Sequence, residues 1–253
     1  MVAVDAGRRI RGEGQTDESV WRDWLTAAPP PVAAIDDILK AAQRLVVVSP
    51  HPDDEVLACG GLVAMHVQRG GSTSIVAVTD GEASHRDDPR WPPARLAAAR
   101  RSERRLGLAR LGVGPDSVAD LALPDGAVAS RAEALSRHLK RLLRAGDCVV
   151  TTWRLDGHPD HDATGAACAS ACGAIGCKLV EAPVWMWHWA MPADPRVPWH
   201  RMRALALATD TIERKTAALA AHATQFSLRA DAAPVLGRAI RARSARSAEY
   251  FIV

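Results

Sequence analysis

The chain has 253 residues, 48% of them hydrophobic, which suits one α/β domain of ordinary size with a substantial core. With 32 basic and 29 acidic residues the formal charge is +3, too near balance to suggest a nucleic-acid surface. The N-terminus has no secretory apolar segment, no apolar run approaches a membrane span, and an odd count of five cysteines fits reduced thiols, so the expectation is a cytoplasmic protein.

Residues 1–18 are rich in glycine and charge and are expected to be mobile. ESVWRDWLTAA (18–28) has the spacing of a short helix with Val20, Trp21, Trp24 and Leu25 on one face, and Pro29, Pro30 and Pro31 end it. A second short helix is expected over 35–42. Residues 1–43 thus read as an N-terminal extension and 44–253 as the domain proper. RLVVVS (44–49) is a continuous apolar run, as expected of a strand buried on both faces. A helix over 55–69, a strand over 72–79, a helix over 94–111 and a strand over 118–123 follow. Next come a helix over 130–144, a strand over 147–152, a helix over 162–175 and a strand over 178–184. A strand over 203–209 and a helix over 210–224 complete the pattern. This alternation predicts a single-domain, Rossmann-like α/β fold: a mostly parallel sheet flanked by helices. Cys168 and Cys172 lie four apart in an Ala-rich helical stretch and read as small buried side chains, since the paired CxxC spacing of zinc modules is missing.

In such sheets ligands bind beyond the carboxyl ends of the strands. The first apolar strand runs directly into HPDDE (51–55), and DCVVTT (147–152) is followed by HPDH (158–161). In a parallel sheet both strand ends share one edge, so the two loops can meet. His51, Asp54 and His161 then offer nitrogen and carboxylate oxygen to one divalent ion, with a position left for water. Asp53, beside a ligand, is placed to take a proton from that water. His158 is the candidate for an oxyanion partner and acid, if Asp160 or another carboxylate keeps it protonated.

PHPDDE (50–55), Gly60-Gly61, VTDGE (78–82), LPDG (123–126) and HPDH together resemble the LmbE-like, or PIG-L, family of metal-dependent N-deacetylases. The pattern around Arg100 and Glu103 leading to Leu111-Gly112, and RKTAALAAHATQ (214–225), resemble further family elements. The resemblance covers roughly residues 44–225. It implies hydrolysis of an acetamido group on an N-acetylglucosamine-type sugar or glycoconjugate. It also implies His51, Asp54 and His161 as metal ligands, Asp53 as general base, and His158 as oxyanion and acid histidine tuned by Asp160. Arg100 and Asp125 fall where family members carry substrate-pocket residues. Zinc is the first expectation, with Fe(II) and Co(II) compatible with the same donors. One departure is Asp156, which stands where mycothiol-pathway members often carry a tyrosine, and this puts tyrosine assistance to the oxyanion in doubt.

Four of the eight tryptophans fall within VWMWHWAMPADPRVPW (184–199). If the stretch is extended, Trp185, Trp187 and Trp189 share a face and His188 points away. Two readings stand: a core or homo-oligomer contact, or a wall for the apolar face of a sugar, with Trp187 as its substrate-binding member. Two rival functions also remain, an amidase acting on a larger acyl group and a non-catalytic metal-containing sugar binder. A nucleotide-binding domain is rejected because no GxGxxG follows a strand.

Overall fold

The computed structural model describes residues 8, 10, 12–39, 42, 44–230 and 232–253. The mobility expected of residues 1–18 therefore concerns, for 1–7, 9 and 11, positions outside the described residues, as does the second predicted helix at 40 and 41.

Helix α1 (Glu18–Ala27) buries Trp21 and Leu25, one turn apart, but Val20 is 47% exposed. The buried stripe is thus narrower than the four residues expected. After α2 (Ile35–Leu39) the alternation begins: β1 (Arg44–Ser49), α3 (Asp54–Gln68), β2 (Ser72–Thr79), α4 (Pro93–Arg110), β3 (Val118–Leu123), α5 (Ala132–Leu142) and β4 (Asp147–Thr152). It continues with α6 (Pro159–Ile175), β5 (Lys178–Ala182) and a one-turn helix, α7 (Met186–Trp189). The last elements are β6 (Met202–Ala206), α8 (Thr209–Ala220), α9 (Ala223–Phe226), α10 (Arg238–Ser244) and β7 (Ala248–Ile252).

Among the described residues the strands form one sheet in the order β3-β2-β1-β4-β5-β7-β6. The first five are parallel, and β7 runs antiparallel to both of its neighbours. β1 is central and buries both faces because alternate side chains enter different cores. Leu45 and Val47 pack with α3, while Val46 and Val48 pack with α5 and α6. Cys168 and Cys172 lie in the second core, and the cysteines are free thiols. No helix among the described residues is long and apolar enough to cross a membrane.

The C-terminal strand β7 was absent from the sequence expectation, yet it braces α3. That helix breaks at Cys59 (φ −154°), and the Glu249 carboxylate of β7 accepts from Gly61 N and Leu62 N at 2.7 and 2.8 Å. Lys215 Nζ, on α8, donates to the same carboxylate at 2.7 Å. The double glycine serves this approach: a Cβ on Gly61 would lie 2.6 Å from Leu207 Cδ2.

Candidate metal centre and active site

The HPDDE loop leaves β1 through a sharp turn that ends with Asp53 at φ 113°, a conformation costly for a residue with a Cβ. The surroundings hold it there. Pro50 O accepts from both Thr79 N and Thr79 Oγ1, which ties the loop to β2. Arg100, buried on α4, donates to Pro52 O at 2.7 Å and to Asp53 Oδ2 at 3.1 Å, and its other Nη donates to Gly81 O. Only glycine fits at 81, since a Cβ there would lie 1.8 Å from Arg100 Nη1. The carbonyl of Asp53 then opens α3, whose first turn carries Asp54 and Glu55, the favoured sign of charge at a helix N-terminus.

The HPDH loop leaves β4, the neighbour of β1, at the same sheet edge. His158 caps α6: its Nδ1 accepts from Asp160 N at 3.3 Å, and Pro159 occupies the first helical turn. His161, one turn in, is fully buried.

The two loops do meet. Asp54 Oδ2 lies 3.0 Å from His51 Nδ1 and 3.1 Å from His161 Nε2. His51, His158 and His161 each offer a nitrogen within 4.8 Å of the others. His161 Nε2 is buried and meets the Asp54 carboxylate without a well-formed hydrogen bond, while its Nδ1 is anchored on Asp156. A buried nitrogen and carboxylate facing each other in poor hydrogen-bond geometry suit a shared cation. The donor set, imidazole nitrogen with carboxylate oxygen, fits a divalent ion of zinc type. Asp125 Oδ1 and Asp160 Oδ2 also reach His51 Nε2, at 3.2 and 3.3 Å.

The electrostatics follow from packing so many charges into one buried edge. Burial works against charge on His51, but Asp125, Asp160 and Asp54 together push its pKa well above the usual histidine range. His161 is likewise raised, to about 9: burial opposes, and the carboxylates of Asp54 and Asp156 prevail. Burial would raise Asp54, yet His161 and His51 hold it below the usual range. Asp53 is pushed up to about 8 by burial, against the pull of Arg100. His158 falls to about 3, first through burial and then through the neighbouring His51 and His161. That differs from the expectation that Asp160 keeps His158 protonated. The Asp160 carboxylate faces His51 and accepts from Gly126 N and Val128 N, so only its backbone N–H reaches His158. With Nδ1 accepting, the neutral His158 ring carries its proton on Nε2.

A cavity of about 470 Å³ opens on this edge, lined by His51, Asp53, Asp54, Arg100, Asp125 and His158. Eight of the nine residues singled out in the sequence thus lie in or against one site. The exception is Trp187. Residues 186–189 form a helical turn, not a strand, so alternate tryptophans do not share a face. Trp187 is buried among Trp21, Trp199 and Tyr250, with ring centroids 5.0, 6.4 and 5.3 Å away, and the structure does not bring it to the cavity. Trp185 and His188 line the cavity instead. Trp185 lies nearly parallel to His158, 22° between planes and 6.4 Å between centroids. Gln225, from the late signature, also lines the cavity. His222 from that signature does not, and is fully buried with neither ring nitrogen hydrogen-bonded among the described residues.

The sequence reading gave Asp156 no role. Its carboxylate is completely buried and accepts from His161 Nδ1. In sequence an Asp-Gly pair after a strand reads only as a turn.

The model of the GlcNAc-PI de-N-acetylase family, PIG-L, matches residues 46–172, just over half of the chain. The chain belongs to the PIG-L deacetylase family. It is therefore an enzyme of the hydrolase class that acts on amide bonds. Among its relatives is the 1D-myo-inositol 2-acetamido-2-deoxy-alpha-D-glucopyranoside deacetylase of Mycobacterium sp. (strain KMS), 28% identical over 74% of this chain and 76% of the relative. The 2'-N-acetylparomamine deacetylase of Streptomyces fradiae is 29% identical over 53% of each chain. In fold, the PIG-L chain is similar to N,N'-diacetylchitobiose deacetylase from Pyrococcus horikoshii, with a TM-score of 0.59, 20% identity, and coverage of 85% of this chain and 82% of that one.

Proposed function

We propose that this PIG-L protein is a zinc-dependent N-deacetylase of a small N-acetylated amino sugar or its conjugate. The observation that carries the reading is the meeting of His51, Asp54 and His161, with His161 Nε2 buried against Asp54, beside an Asp53 carboxylate open to a cavity of about 470 Å³. That volume lies in the range of small-molecule sites. The two curated relatives, one named for an inositol-linked acetamido sugar and one for an acetylated aminoglycoside, support the substrate class.

His51, Asp54 and His161 would hold a divalent ion, which would supply Lewis acidity to the attacking water and the acetyl carbonyl. The chain's own residues do the rest. Asp53, buried and held by Arg100, takes a proton from water as its oxygen attacks the acetyl carbonyl carbon. His158 donates its Nε2 proton as a hydrogen bond to the developing oxyanion, and its capping bond to Asp160 N fixes that tautomer. The C–N bond then breaks. The proton held on Asp53 passes to the departing amine nitrogen, and acetate is released. Asp160 orients His51 and anchors the loop after Asp125, while Asp125 and Trp185 line the space for the sugar.

The test is acetate release from a panel of N-acetylated sugars by zinc-loaded protein, beside a chelated control. Metal-dependent acetate supports the reading. A chain that binds zinc tightly but leaves every panel member intact turns it toward a larger acyl group, and a chain that binds no metal overturns it.

A further inference from the structure

The Asp156 carboxylate has four neighbours within hydrogen-bond distance, and three of them are backbone N–H groups. Oδ1 accepts from Val184 N at 3.0 Å and Met186 N at 2.9 Å. Oδ2 accepts from Trp185 N at 2.9 Å and lies 2.8 Å from His161 Nδ1. The backbone carbonyl of Asp156 is used as well, accepting from Trp189 Nε1 at 2.7 Å. The side chain has no solvent exposure. An ionised carboxylate is an acceptor only, so the His161 nitrogen that faces it must donate. With a divalent ion bound, His161 Nε2, 3.1 Å from Asp54 Oδ2, would then be the nitrogen that gives up its proton and ligates.

We propose that Asp156 is a positioning residue for the metal centre, holding His161 in the tautomer that ligates and tying it to the Val184–Met186 turn that sets Trp185 beside His158. The inference rests on the metal-site reading above and extends it to a residue outside the ligand set. Asparagine cannot replace the carboxylate here. Its NH₂ would meet a backbone N–H in one orientation of the amide. In the other it would face His161 Nδ1 and force the proton onto Nε2. Asp162 makes a useful contrast, because it follows His161 in the first turn of α6 and its carboxylate accepts from Gly157 N at 3.0 Å rather than from the His161 ring. A general weakening of the loop would follow from Asp162→Asn as well, whereas loss of the His161 tautomer follows only from Asp156→Asn.

The experiment is zinc binding to the full chain, measured by competition with a chromophoric chelator, for wild type, Asp156→Asn and Asp162→Asn. The expected result is a roughly 10- to 100-fold loss of zinc affinity in Asp156→Asn and wild-type affinity in Asp162→Asn. Wild-type affinity in Asp156→Asn, or an equal loss in both variants, overturns the proposal. Wild-type protein that binds no zinc overturns the metal-site reading beneath it, a different outcome. A second measurement needs no variant to fold. In zinc-loaded wild type carrying ¹⁵N-labelled histidine, the His161 ring is expected as the Nδ1–H tautomer, and a proton on Nε2 overturns the proposal.

Discussion

The two His-Pro-Asp loops follow adjacent parallel strands and look alike in sequence, but they are secured by opposite means. The first is held from outside by a cation: Arg100 of α4 reaches Pro52 O, Gly81 O and Asp53 at once. The second is held from within by an anion, Asp156, with three backbone amides gathered around it. The difference follows from what each loop must carry. In the proposed mechanism the first presents a carboxylate that gains and loses a proton, which a neighbouring guanidinium keeps in place and tempers. The second presents imidazoles, whose useful tautomers are set by whether the far ring nitrogen donates or accepts.

The largest expected effect tests the division of labour itself. Asp53→Asn removes the base from the first loop and leaves the three donors intact. Turnover is expected to fall by about 10²- to 10⁴-fold with zinc content unchanged. Parallel assays of acetate release and bound zinc check this. Normal turnover with metal in place would falsify the assignment of Asp53.

The next effect concerns the cation that secures the first loop. Arg100 and Asp53 are both buried, with side chains 3% and 7% exposed. Removing Arg100 leaves the Gly81 and Pro52 carbonyls and the Asp53 carboxyl without their shared donor, at about 1–3 kcal/mol for each buried acceptor left unsatisfied. Arg100→Met is therefore expected to lower the urea midpoint by a corresponding amount. A variant of near wild-type stability would show that the strained turn at Asp53 is held mainly by its contacts to β2.

A smaller effect joins the two loops. An ion held as proposed would contact both, so zinc at about 100 times its dissociation constant should stabilise the fold by about 2.7 kcal/mol. The rise in melting temperature should be lost in His51→Ala and in His161→Ala alike. A rise retained in either single variant would mean that one loop binds the ion without the other.

Most of this was legible before any coordinates. RLVVVS and DCVVTT announce buried strands because LVVV (45–48) and CVVTT (148–152) are apolar or Thr throughout, and the parallel alternation then puts their carboxyl ends together. What the sequence hid depends on distant partners. Trp185, Trp187 and Trp189 alternate as if on a strand, but Asp156 draws the 184–186 amides into a turn, which sends Trp185 to the cavity and Trp187 to the core. Strand β7 is five residues at the chain end, and its purpose is visible only when Glu249 meets the broken turn of α3 from across the sheet.

The smallest effect reaches the first loop through its support. His222, between α8 and α9, is buried beside Gly107 of α4, where a Cβ on the glycine would lie 3.0 Å from His222 Nε2. Burial, followed by the charges of Arg100 and Arg104, lowers its pKa to about 3. An unfolded histidine titrates near 6.5. Between those two values the unfolded chain binds more protons than the folded one, so stability increases with pH across the window and is lost as pH falls from about 6.5 toward 3. This one group then accounts for a loss on the order of 2 kcal/mol between pH 7 and pH 5. Among the described residues neither ring nitrogen of His222 has a hydrogen-bond partner, so His222→Leu should cost little at pH 7. The measurement is urea unfolding of wild type and His222→Leu at pH 7 and pH 5. The variant is expected to be the more stable at pH 5, and a wild-type advantage that persists at both values would mean that His222 is held by contacts other than neutral packing. Because the charges that depress His222 include Arg100, the acid sensitivity belongs to the cation-held loop, and Asp156→Asn should leave it in place.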